Sequence, residues 1–404
     1  MKILQVNTVY RRGSTGKIAE QIQAESIAQG IENVVAYRYC EVAEESNTFC
    51  ISTWLDCHLH NRIARYTHRS GFYSKLQTEK FVRYIEIEKP DIIHLHNLHG
   101  SYVNIKMLFD CIRQNSIKVI WTFHDCWPFT GYCPYFEIND CRNWQTCCCN
   151  NCPEENLFNN GNANKNLISK INDVKGVDLT VVTPSHWLSD IVKQTFYSKF
   201  DVLTIHNGID RSVFYPRKSD FREKNSISES KFMLLGVAAV WEERKGLDVF
   251  VELSRRLNPE CFQIVLVGTT PQIDVTLPKS IISIHKTEDQ AELAEIYSSA
   301  DLFVNPTREE VLGLVNIEAN ACGTPVVTYN TGGCPECIND KSGLVVERDD
   351  LDALEKAIYT VCTSKPFSEV DCVKNAERFD SKEKFDEYVN LYRRIGGNGS
   401  YNIS

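Results

Sequence analysis

Short apolar runs and amphipathic stretches alternate along the whole chain. The runs are nearly continuous in apolar residues, which is typical of strands buried on both faces of a parallel sheet. In the first half the predicted strands are Lys2–Val6, Asn33–Tyr37, Ile92–Leu95, Lys118–Phe123 and Leu179–Thr183. In the second half they are Phe232–Val237, Gln263–Val267, Ile281–Ile284, Leu302–Val304 and Pro325–Thr328.

Helical periodicity fills most of the intervals between these strands. The predicted helices are Gly16–Gln29, Thr78–Glu88, Ser185–Gln194, Gly246–Leu257 and Gln290–Ser298. Strands that alternate with helices predict parallel sheets with covered faces, and the pattern occurs once in each half. The segment 206–230 contains turn formers, a proline and mixed charges, so we place a domain boundary there. The fold class is therefore α/β, with one doubly wound domain over 1–205 and another over 206–379.

Composition and charge narrow the class of protein. The chain has 404 residues, of which 43% are apolar and 24% charged, which is ordinary for a globular protein of two domains. Its net charge of -9 argues against general nucleic-acid binding. No apolar run reaches about 18 residues, and the start MKILQVNTVYRRG lacks the apolar stretch of a signal peptide. We therefore expect a cytoplasmic protein.

A glycine-rich segment, RRGSTGKIAEQI, follows the first predicted strand. It is not a Walker loop, because the position five before Gly16 is Arg11 and the residue after Lys17 is Ile18 rather than Ser or Thr. Gly13 and Gly16 still predict a tight turn between a strand and a helix. Such a turn either brings backbone N–H groups to a ligand or serves only as a turn, and the residues alone leave both interpretations open.

The second domain contains a more specific segment, NPTREEVLGLVNIEANACGTPVVTYNTGGCPECI (305–338). A helix is predicted to begin after Gly313, close to the end of the strand Leu302–Val304, and this geometry suits a diphosphate. Glu310 and Glu318 are separated by seven residues. Two carboxylates would repel a phosphate, but they can accept hydrogen bonds from sugar hydroxyls. The pattern therefore predicts a nucleotide-sugar site.

The string EVLGLVNIEANACGTPVV resembles the donor-site motif of family 4 retaining glycosyltransferases, which have the GT-B fold. Further resemblances occur in the family's order along nearly the whole chain: PDIIHLH, TFHDCW, TPSHW, NGID, ERKGLDVF and NTGGCPE. The stretch HDCWPFTGYCPYF is similar to a bacterial subgroup that makes capsular and colanic-acid-like surface polysaccharides. The resemblance implies two Rossmann-like domains facing a central cleft. It also implies a C-terminal helix, about 380–404, that returns to the N-terminal, acceptor-side domain.

Site residues follow from this resemblance. Glu318 is implied on the ribose, Glu310 on the transferred sugar, and Lys245 on the diphosphate. The backbone of Gly313, Leu314 and Val315 is implied at the distal phosphate, His124 near the reacting sugar, and the Gly13 and Gly16 loop facing the phosphate and the acceptor. The family usually carries an arginine after the first strand of this domain, where this chain has Ala238, Ala239 and Val240; we expect Arg244 to supply the missing charge.

The implied reaction is transfer of a sugar, with retention, from a UDP- or GDP-sugar to a glycan or to a polyprenyl-diphosphate-linked acceptor. No Asp-x-Asp stands in a suitable loop, so we expect no catalytic metal. A GT-B epimerase and a non-catalytic nucleotide-sugar-binding protein are the alternatives.

Cysteines concentrate in one segment of the first domain. The chain has 17, and seven of them lie between residues 126 and 152. Cys149 and Cys152 form a Cys-x-x-Cys pair, with Cys133 and Cys141 upstream, which is a plausible set of ligands for structural zinc. Cys147 and Cys148 complicate the choice of ligands, and free thiols are the alternative.

A basic segment, 58–84, contrasts with the acidic chain. It carries six Lys or Arg residues and one acid, Glu79, with aromatic residues between them. The segment predicts either peripheral contact with an anionic membrane or a solvated basic helix with one packed face.

Overall fold

The computed structural model describes residues 1–38, 47–146, 148–149, 152 and 160–397. They form two compact units. Unit 1 comprises Met1–His206 together with the chain from Lys384 onward, and unit 2 comprises Asn207–Glu383.

Unit 1 is built around a parallel sheet with the strand order β3-β2-β1-β4-β5-β6-β7. Its strands are β1 (Lys2–Asn7), β2 (Glu32–Tyr37), β3 (Thr48–Cys50), β4 (Ile92–Leu95), β5 (Lys118–Thr122), β6 (Leu179–Thr183) and β7 (Asp201–Thr204). Its helices are α1 (Gly13–Ala28), α2 (Trp54–Thr67), α3 (Lys75–Glu88), α4 (Ile105–Gln114), α5 (Asn162–Asp173) and α6 (His186–Val192). Short 3-10 turns occupy Trp127–Phe129, Asn143–Thr146 and Phe196–Lys199.

Unit 2 repeats the arrangement with the order β10-β9-β8-β11-β12-β13. Its strands are β8 (Phe232–Val237), β9 (Phe262–Val267), β10 (Ile281–Ile284), β11 (Leu302–Asn305), β12 (Val326–Tyr329) and β13 (Gly343–Val346). Its helices are α7 (Phe221–Lys224), α8 (Leu247–Arg256), α9 (Pro271–Asp274), α10 (Gln290–Ser299), α11 (Leu314–Ala321), α12 (Leu351–Ser364) and α13 (Glu369–Ala376). Further 3-10 turns occupy Glu243–Lys245, Cys334–Cys337 and Glu377–Phe379.

The last helix, α14 (Ser381–Gly396), begins in unit 2 and continues into unit 1. Its inner face carries Phe385, Tyr388 and Tyr392, which join the core of unit 1. The Tyr392 hydroxyl lies 2.6 Å from Nδ1 of His94 on β4. The helix is therefore held by buried polar contacts as well as by apolar packing.

In both sheets the order in which the chain adds strands reverses at a defined point. From β1 the chain winds outward through β2 and β3, and then crosses back to β4 on the other side; in unit 2 the same reversal falls between β8 and β11. Ligands of such sheets bind at the carboxyl ends of the strands beside the reversal. The loops after β1, β4, β8 and β11 are therefore the places to examine.

Several predicted boundaries differ from the structure. Helix α1 begins at Gly13 rather than Gly16, so the glycine turn is the first turn of the helix itself. Strands β3, β7 and β13 were not predicted; each lies at an edge of its sheet with most of its side chains only partly buried, and such strands need not be continuous apolar runs. Among the described residues, no helix combines the length and the hydropathy needed to cross a bilayer.

Candidate functional site

The loop after β1 in unit 1 is organised by the side chain of Asn7, at the carboxyl end of that strand. Its amide donates hydrogen bonds to the carbonyl oxygens of Val9 (2.9 Å) and Thr15 (3.1 Å), and its Oδ1 atom accepts one from the N–H of Thr8 (2.9 Å). Asn7 thus fixes the loop on both sides of Gly13. Sequence analysis missed this residue, since an asparagine ending a strand is not distinctive.

Gly16 packs against that loop in the first turn of α1. A Cβ atom there would lie 3.2 Å from both Arg11 N and Val9 Cγ2. No side chain caps the start of α1 at Arg12, so the first N–H groups of the helix are left for another acceptor. The structure therefore provides the kind of N-terminus that suits an anion.

A chain of hydrogen bonds leads from β1 to His124. Gln5 Nε2 donates to Ala19 O and Asn33 Oδ1, both at 3.0 Å, so its Oε1 atom faces His96 Nε2 at 3.0 Å. His96 Nδ1 in turn lies 2.9 Å from Nε2 of His124. Because Oε1 can only accept, the proton of a neutral His96 must be on Nε2.

The position of the proton on His96 determines the tautomer of His124. Burial lowers the pKa of His124 to about 4 and lowers that of His96 well below its usual value, so both rings are neutral at neutral pH. Nδ1 of His96 is then an acceptor, and His124 must donate to it from Nε2. The remaining ring nitrogen of His124, Nδ1, carries a lone pair. His124 is therefore equipped to accept a hydrogen bond, such as one from a sugar hydroxyl.

A second polar pair lies beside His124. His99 Nε2 contacts Asp125 Oδ2 at 2.8 Å, and Asp125 Oδ1 accepts the N–H of Trp127 at 2.9 Å. Burial alone would raise the pKa of Asp125, but His99 and these hydrogen bonds outweigh it and lower the pKa. Asp125 is thus an anion whose two oxygens are both engaged.

In unit 2 the structure brings Lys245 and Glu310 together. They follow the neighbouring strands β8 and β11, and Lys245 Nζ lies 2.5 Å from Glu310 Oε2. Burial opposes ionisation of Glu310, but the ammonium of Lys245 and the N–H of Val311 lower its pKa below the usual range. Arg244 adds further positive charge to the same place. Three of the predicted residues therefore form one charged cluster.

Arg308 holds this cluster in position and was missed by sequence analysis. Its guanidinium binds both carboxylate oxygens of Asp248, at 2.8 and 2.7 Å, and also Asp349. The same side chain donates to the carbonyl of Glu243, and its backbone N–H donates to the carbonyl of Arg244. Arg308 thus anchors the turn that carries Arg244 and Lys245.

Helix α11 begins directly after the loop that carries Glu310. Gly313 precedes it with φ of 90°, where a Cβ would lie 3.0 Å from the sulfur of Cys334. No side chain caps the helix, so the N–H groups of Leu314 and Val315 are not occupied by a capping residue. This N-terminus is therefore suited to a phosphate.

Glu318 lies in the second turn of α11, and its Oε2 atom accepts a hydrogen bond from the hydroxyl of Tyr297 at 3.1 Å. The side chain is partly exposed. Tyr297, itself buried, therefore orients the carboxylate on which the sequence prediction for the ribose depends.

The cysteines gather only partly. Cys149 and Cys152 are buried in one cluster with Ala163 and Leu167, and Cys133 packs against it. Cys141 is close enough to interact electrostatically with Cys149. Among the described residues, however, no three of these four sulfurs lie within 4.8 Å of one another, whereas zinc–sulfur bonds of about 2.3 Å would hold them within about 4 Å. Cys147 lies outside the described residues.

Two Rossmann-like units, each wound around a parallel sheet, form the GT-B fold, which the similar solved structures share. Residues 24–213 match the model for Glycosyltransferase Family 4, and residues 231–364 match that for Glycosyl transferases group 1. Together the two models cover most of the chain, which belongs to this glycosyltransferase family. The predicted fold and family are confirmed.

Individual relatives are distant. The chain is 19% identical to the putative colanic acid biosynthesis glycosyl transferase WcaC of Escherichia coli K12, over 98% of this chain and 100% of that protein. It is 28% identical to the alpha-maltose-1-phosphate synthase of Mycolicibacterium smegmatis, over 47% of this chain and only 54% of that protein. The Anabaena Alr3699/HepE structure in complex with UDP superposes with a TM-score of 0.67 at 16% identity, over 98% of this chain and all of that one.

The hydrogen-bond chain through His96 makes a prediction about His124. In long-range proton–nitrogen NMR spectra at neutral pH, we expect His124 to be protonated on Nε2 and unprotonated on Nδ1. His96→Leu removes the acceptor and should mix the two tautomers, whereas His96→Asn, which retains an acceptor oxygen, should restore much of the preference.

Tyr392→Phe is the matched control, because it removes one of the two hydrogen-bond partners of His94 and leaves the path from Gln5 to His124 intact. A wild-type His124 protonated on Nδ1, or a His96→Leu spectrum unchanged from the wild type, would contradict the assignment.

Proposed function

We propose that this protein transfers a sugar, with retention of configuration, from a nucleoside-diphosphate sugar to a glycan or lipid-linked saccharide in bacterial surface polysaccharide synthesis. The observation that carries the proposal is the cluster of Lys245, Arg244 and Glu310 beside the uncapped N-terminus of α11. The similarity to WcaC supports a role in polysaccharide biosynthesis, and the UDP in the HepE complex supports a nucleotide donor. Uracil and guanine are both candidate bases of that donor.

The donor would bind with its diphosphate at the basic cluster and the helix N-terminus. Lys245 and Arg244 would supply cations, and the N–H groups of Leu314 and Val315 would supply hydrogen bonds. Glu318, held by Tyr297, would accept hydrogen bonds from the ribose hydroxyls. When the diphosphate forms an ion pair with Lys245, Glu310 would separate from the lysine and bind the hydroxyls of the transferred sugar.

In the proposed reaction the bond between the anomeric carbon and the diphosphate oxygen breaks. A bond from the acceptor oxygen forms on the same face, and the proton of the acceptor hydroxyl passes to the leaving diphosphate. The protein would contribute by positioning the reactants and stabilising the leaving charge. Lys245 and Arg244 supply that charge, so we propose that the reaction needs no metal.

In unit 1, His124 and the glycine loop would have the roles that the family resemblance implies. With Nδ1 as an acceptor, His124 would bind a hydroxyl of the reacting sugar. The loop of Gly13 and Gly16, fixed by Asn7, would face the phosphate and the acceptor. The competing proposals, a non-catalytic nucleotide-sugar-binding protein and an epimerase, differ from this one because neither consumes an acceptor.

We also propose peripheral contact with an anionic membrane, through α2. Its outer face exposes Leu55 (70%), Leu59 (58%) and Tyr66 (66%), which follow one another at helical spacing. Arg62 and Arg65 are exposed on the same helix. An apolar stripe beside cations is the arrangement of helices that lie in a lipid interface. This contact would keep the enzyme, otherwise cytoplasmic, at the inner face of the cell membrane.

Structural zinc at Cys133, Cys141, Cys149 and Cys152 remains a proposal. The burial of Cys149 and Cys152 in one cluster, with Cys133 against it, supports it. The wide sulfur separation means that the segment would have to contract around the ion. Zinc there would fix the loop that follows His124 and would take no part in the transfer.

Nucleotide binding tests the proposed donor site in unit 2. In thermal-shift measurements with UDP, GDP and their sugars, we expect one series to stabilise the wild type. Glu318→Ala should weaken that series at least about tenfold, because hydrogen bonds to a carboxylate contribute about 1.5–3 kcal/mol. Arg244→Ala should weaken it by a similar factor.

Glu260→Ala, an exposed acid of unit 2 away from α11, should leave nucleotide binding unchanged. If nothing in the panel binds, the donor-site assignment fails. If a nucleotide binds but none of the acceptors tested yields a product, the result favours a non-catalytic nucleotide-sugar-binding protein.

The zinc content tests the cysteine site, and sugar transfer without added metal tests the metal-free reaction. Protein purified under reducing conditions should contain about one zinc per chain, and the double variant Cys149→Ser with Cys152→Ser should contain none. Cys261→Ser, an exposed thiol in unit 2, is the control. Sugar transfer should proceed without added Mg²⁺. Zinc-free wild type rejects the cysteine site, and loss of transfer in EDTA that Mg²⁺ restores rejects the metal-free reaction.

Membrane contact is tested with sedimented vesicles. The wild type should bind vesicles containing phosphatidylglycerol more tightly than pure phosphatidylcholine, and added salt should weaken the binding. Replacing Leu55, Leu59 and Tyr66 by Ser should reduce binding by more than about tenfold, since each buried apolar side chain contributes about 1.5–3 kcal/mol. The control replaces Val275, Val345 and Val370, exposed valines of unit 2, by Ser. Equal losses in both triple variants would contradict contact through α2.

A further inference from the structure

Unit 1 contains a small cavity that none of the roles above uses. It lies where α2 meets the loops that follow β4 and β5, and its volume is about 180 Å³. Its lining includes Asn61, Arg65, His99, Ser101, Trp127 and Tyr132. Drug-sized ligands occupy pockets of roughly 300–1,000 Å³, so this one suits a single sugar residue or a single charged head group.

Among the described residues, the lining of the cavity contains one arginine and no acidic residue. Arg65 brings a guanidinium, and in the described part of the chain no carboxylate forms an ion pair with it. Asp125, the carboxylate behind the wall residue His99, has its two oxygens bonded to His99 and to the N–H of Trp127 rather than to Arg65. A cation without a neutralising acid favours an anionic ligand.

Hydrogen-bonding capacity accompanies this charge. His99 uses Nε2 for Asp125, which fixes the ring and leaves Nδ1 for another group. Asn61 offers an amide, and Ser101 offers a hydroxyl. The cavity thus combines one cation and two donors, which suit a phosphate or a carboxylate, with an acceptor that suits a neighbouring hydroxyl.

Aromatic rings form the rest of the wall. Tyr132 is held flat against His68, with ring centroids 4.2 Å apart and an interplanar angle of 8°. Trp127 is buried, and the ammonium of Lys170 lies 3.4 Å from its ring centroid. Such fixed, flat surfaces suit a sugar ring or an apolar stem next to the anion.

The position of the cavity connects it to the proposed reaction. Its wall residue His99 is bonded to Asp125, which directly follows His124 in the chain. On its other side is α2, the helix whose outer face carries Leu55, Leu59 and Tyr66. A ligand in the cavity would therefore lie between α2, the proposed lipid-facing helix, and the loop of His124, which is proposed to bind the reacting sugar.

We infer that this cavity binds the anionic group of the acceptor, a phosphate or a carboxylate next to the sugar that is to be extended. The inference rests on the proposed function, which assigns the acceptor to unit 1. Arg65 would pair with the anion, the Asn61 amide and the Ser101 hydroxyl would donate to it, and Nδ1 of His99 would accept from a hydroxyl of the adjoining sugar. Two acceptor chemistries share this feature: a lipid phosphate and an acidic sugar.

The test uses two probes, short-chain phosphatidic acid below its micelle concentration and glucuronic acid, titrated into the full-length protein. Binding is read from the ring signals of His99 and the indole signal of Trp127 in NMR spectra. We expect Arg65→Gln to weaken probe binding about tenfold or more. Arg393→Gln, which removes an exposed arginine of α14 that neither lines the cavity nor belongs to α2, should change it less than about twofold.

Binding of phosphatidic acid alone supports a lipid phosphate, binding of glucuronic acid alone supports an acidic sugar, and binding of both supports the shared anion site. Equal losses in the two arginine variants, or no shift of His99 and Trp127 with either probe, overturn the inference. UDP and GDP binding is measured on the same proteins. If nucleotides bind but the probes do not, only the cavity assignment falls; if the probes bind but no nucleotide does, the proposed function falls.

Discussion

Parallel pairing of the strands is the constraint on which the candidate residues of each unit depend. Because all the carboxyl ends of a parallel sheet lie at one edge, residues far apart in sequence meet where the winding reverses. In unit 2 this places Lys245 after β8 next to Glu310 after β11, 65 residues later. In unit 1 it aligns Gln5 on β1 with His96 after β4 and His124 after β5.

The sequence predicted most of the strands because strands buried on both faces are continuous apolar runs. It failed for β3, β7 and β13, which are short and lie at or next to the edges of the sheets, where less apolar surface is buried. It also misplaced the start of α1, since glycines are read as breaks although Gly13 and Gly16 here form the first helical turn. Local patterns thus reveal elements but not their limits.

Candidate site residues can be proposed from the sequence where they stand in one contiguous motif. They cannot be proposed where they act through a hydrogen-bond partner far away in the chain. Glu310, Gly313 and Glu318 stand within one short string. Arg308, which anchors the turn of Arg244, and Gln5, which sets the proton register of His124, give no local signal. Their roles follow from hydrogen bonds across 65 and 91 residues of sequence, and only the folded chain contains those contacts.

Pairing of Lys245 with Glu310 has a consequence for how such a site would work. A lysine beside a helix N-terminus would repel other cations and attract any anion, yet the carboxylate at 2.5 Å neutralises it while no ligand is bound. A diphosphate carries more charge than Glu310 and would also meet the N–H groups of α11, so it would displace the carboxylate. Glu310 would then be released toward the sugar hydroxyls. One ion pair could in this way couple phosphate binding to sugar recognition, and a simple inorganic anion, which brings no sugar, would leave the released carboxylate without a partner.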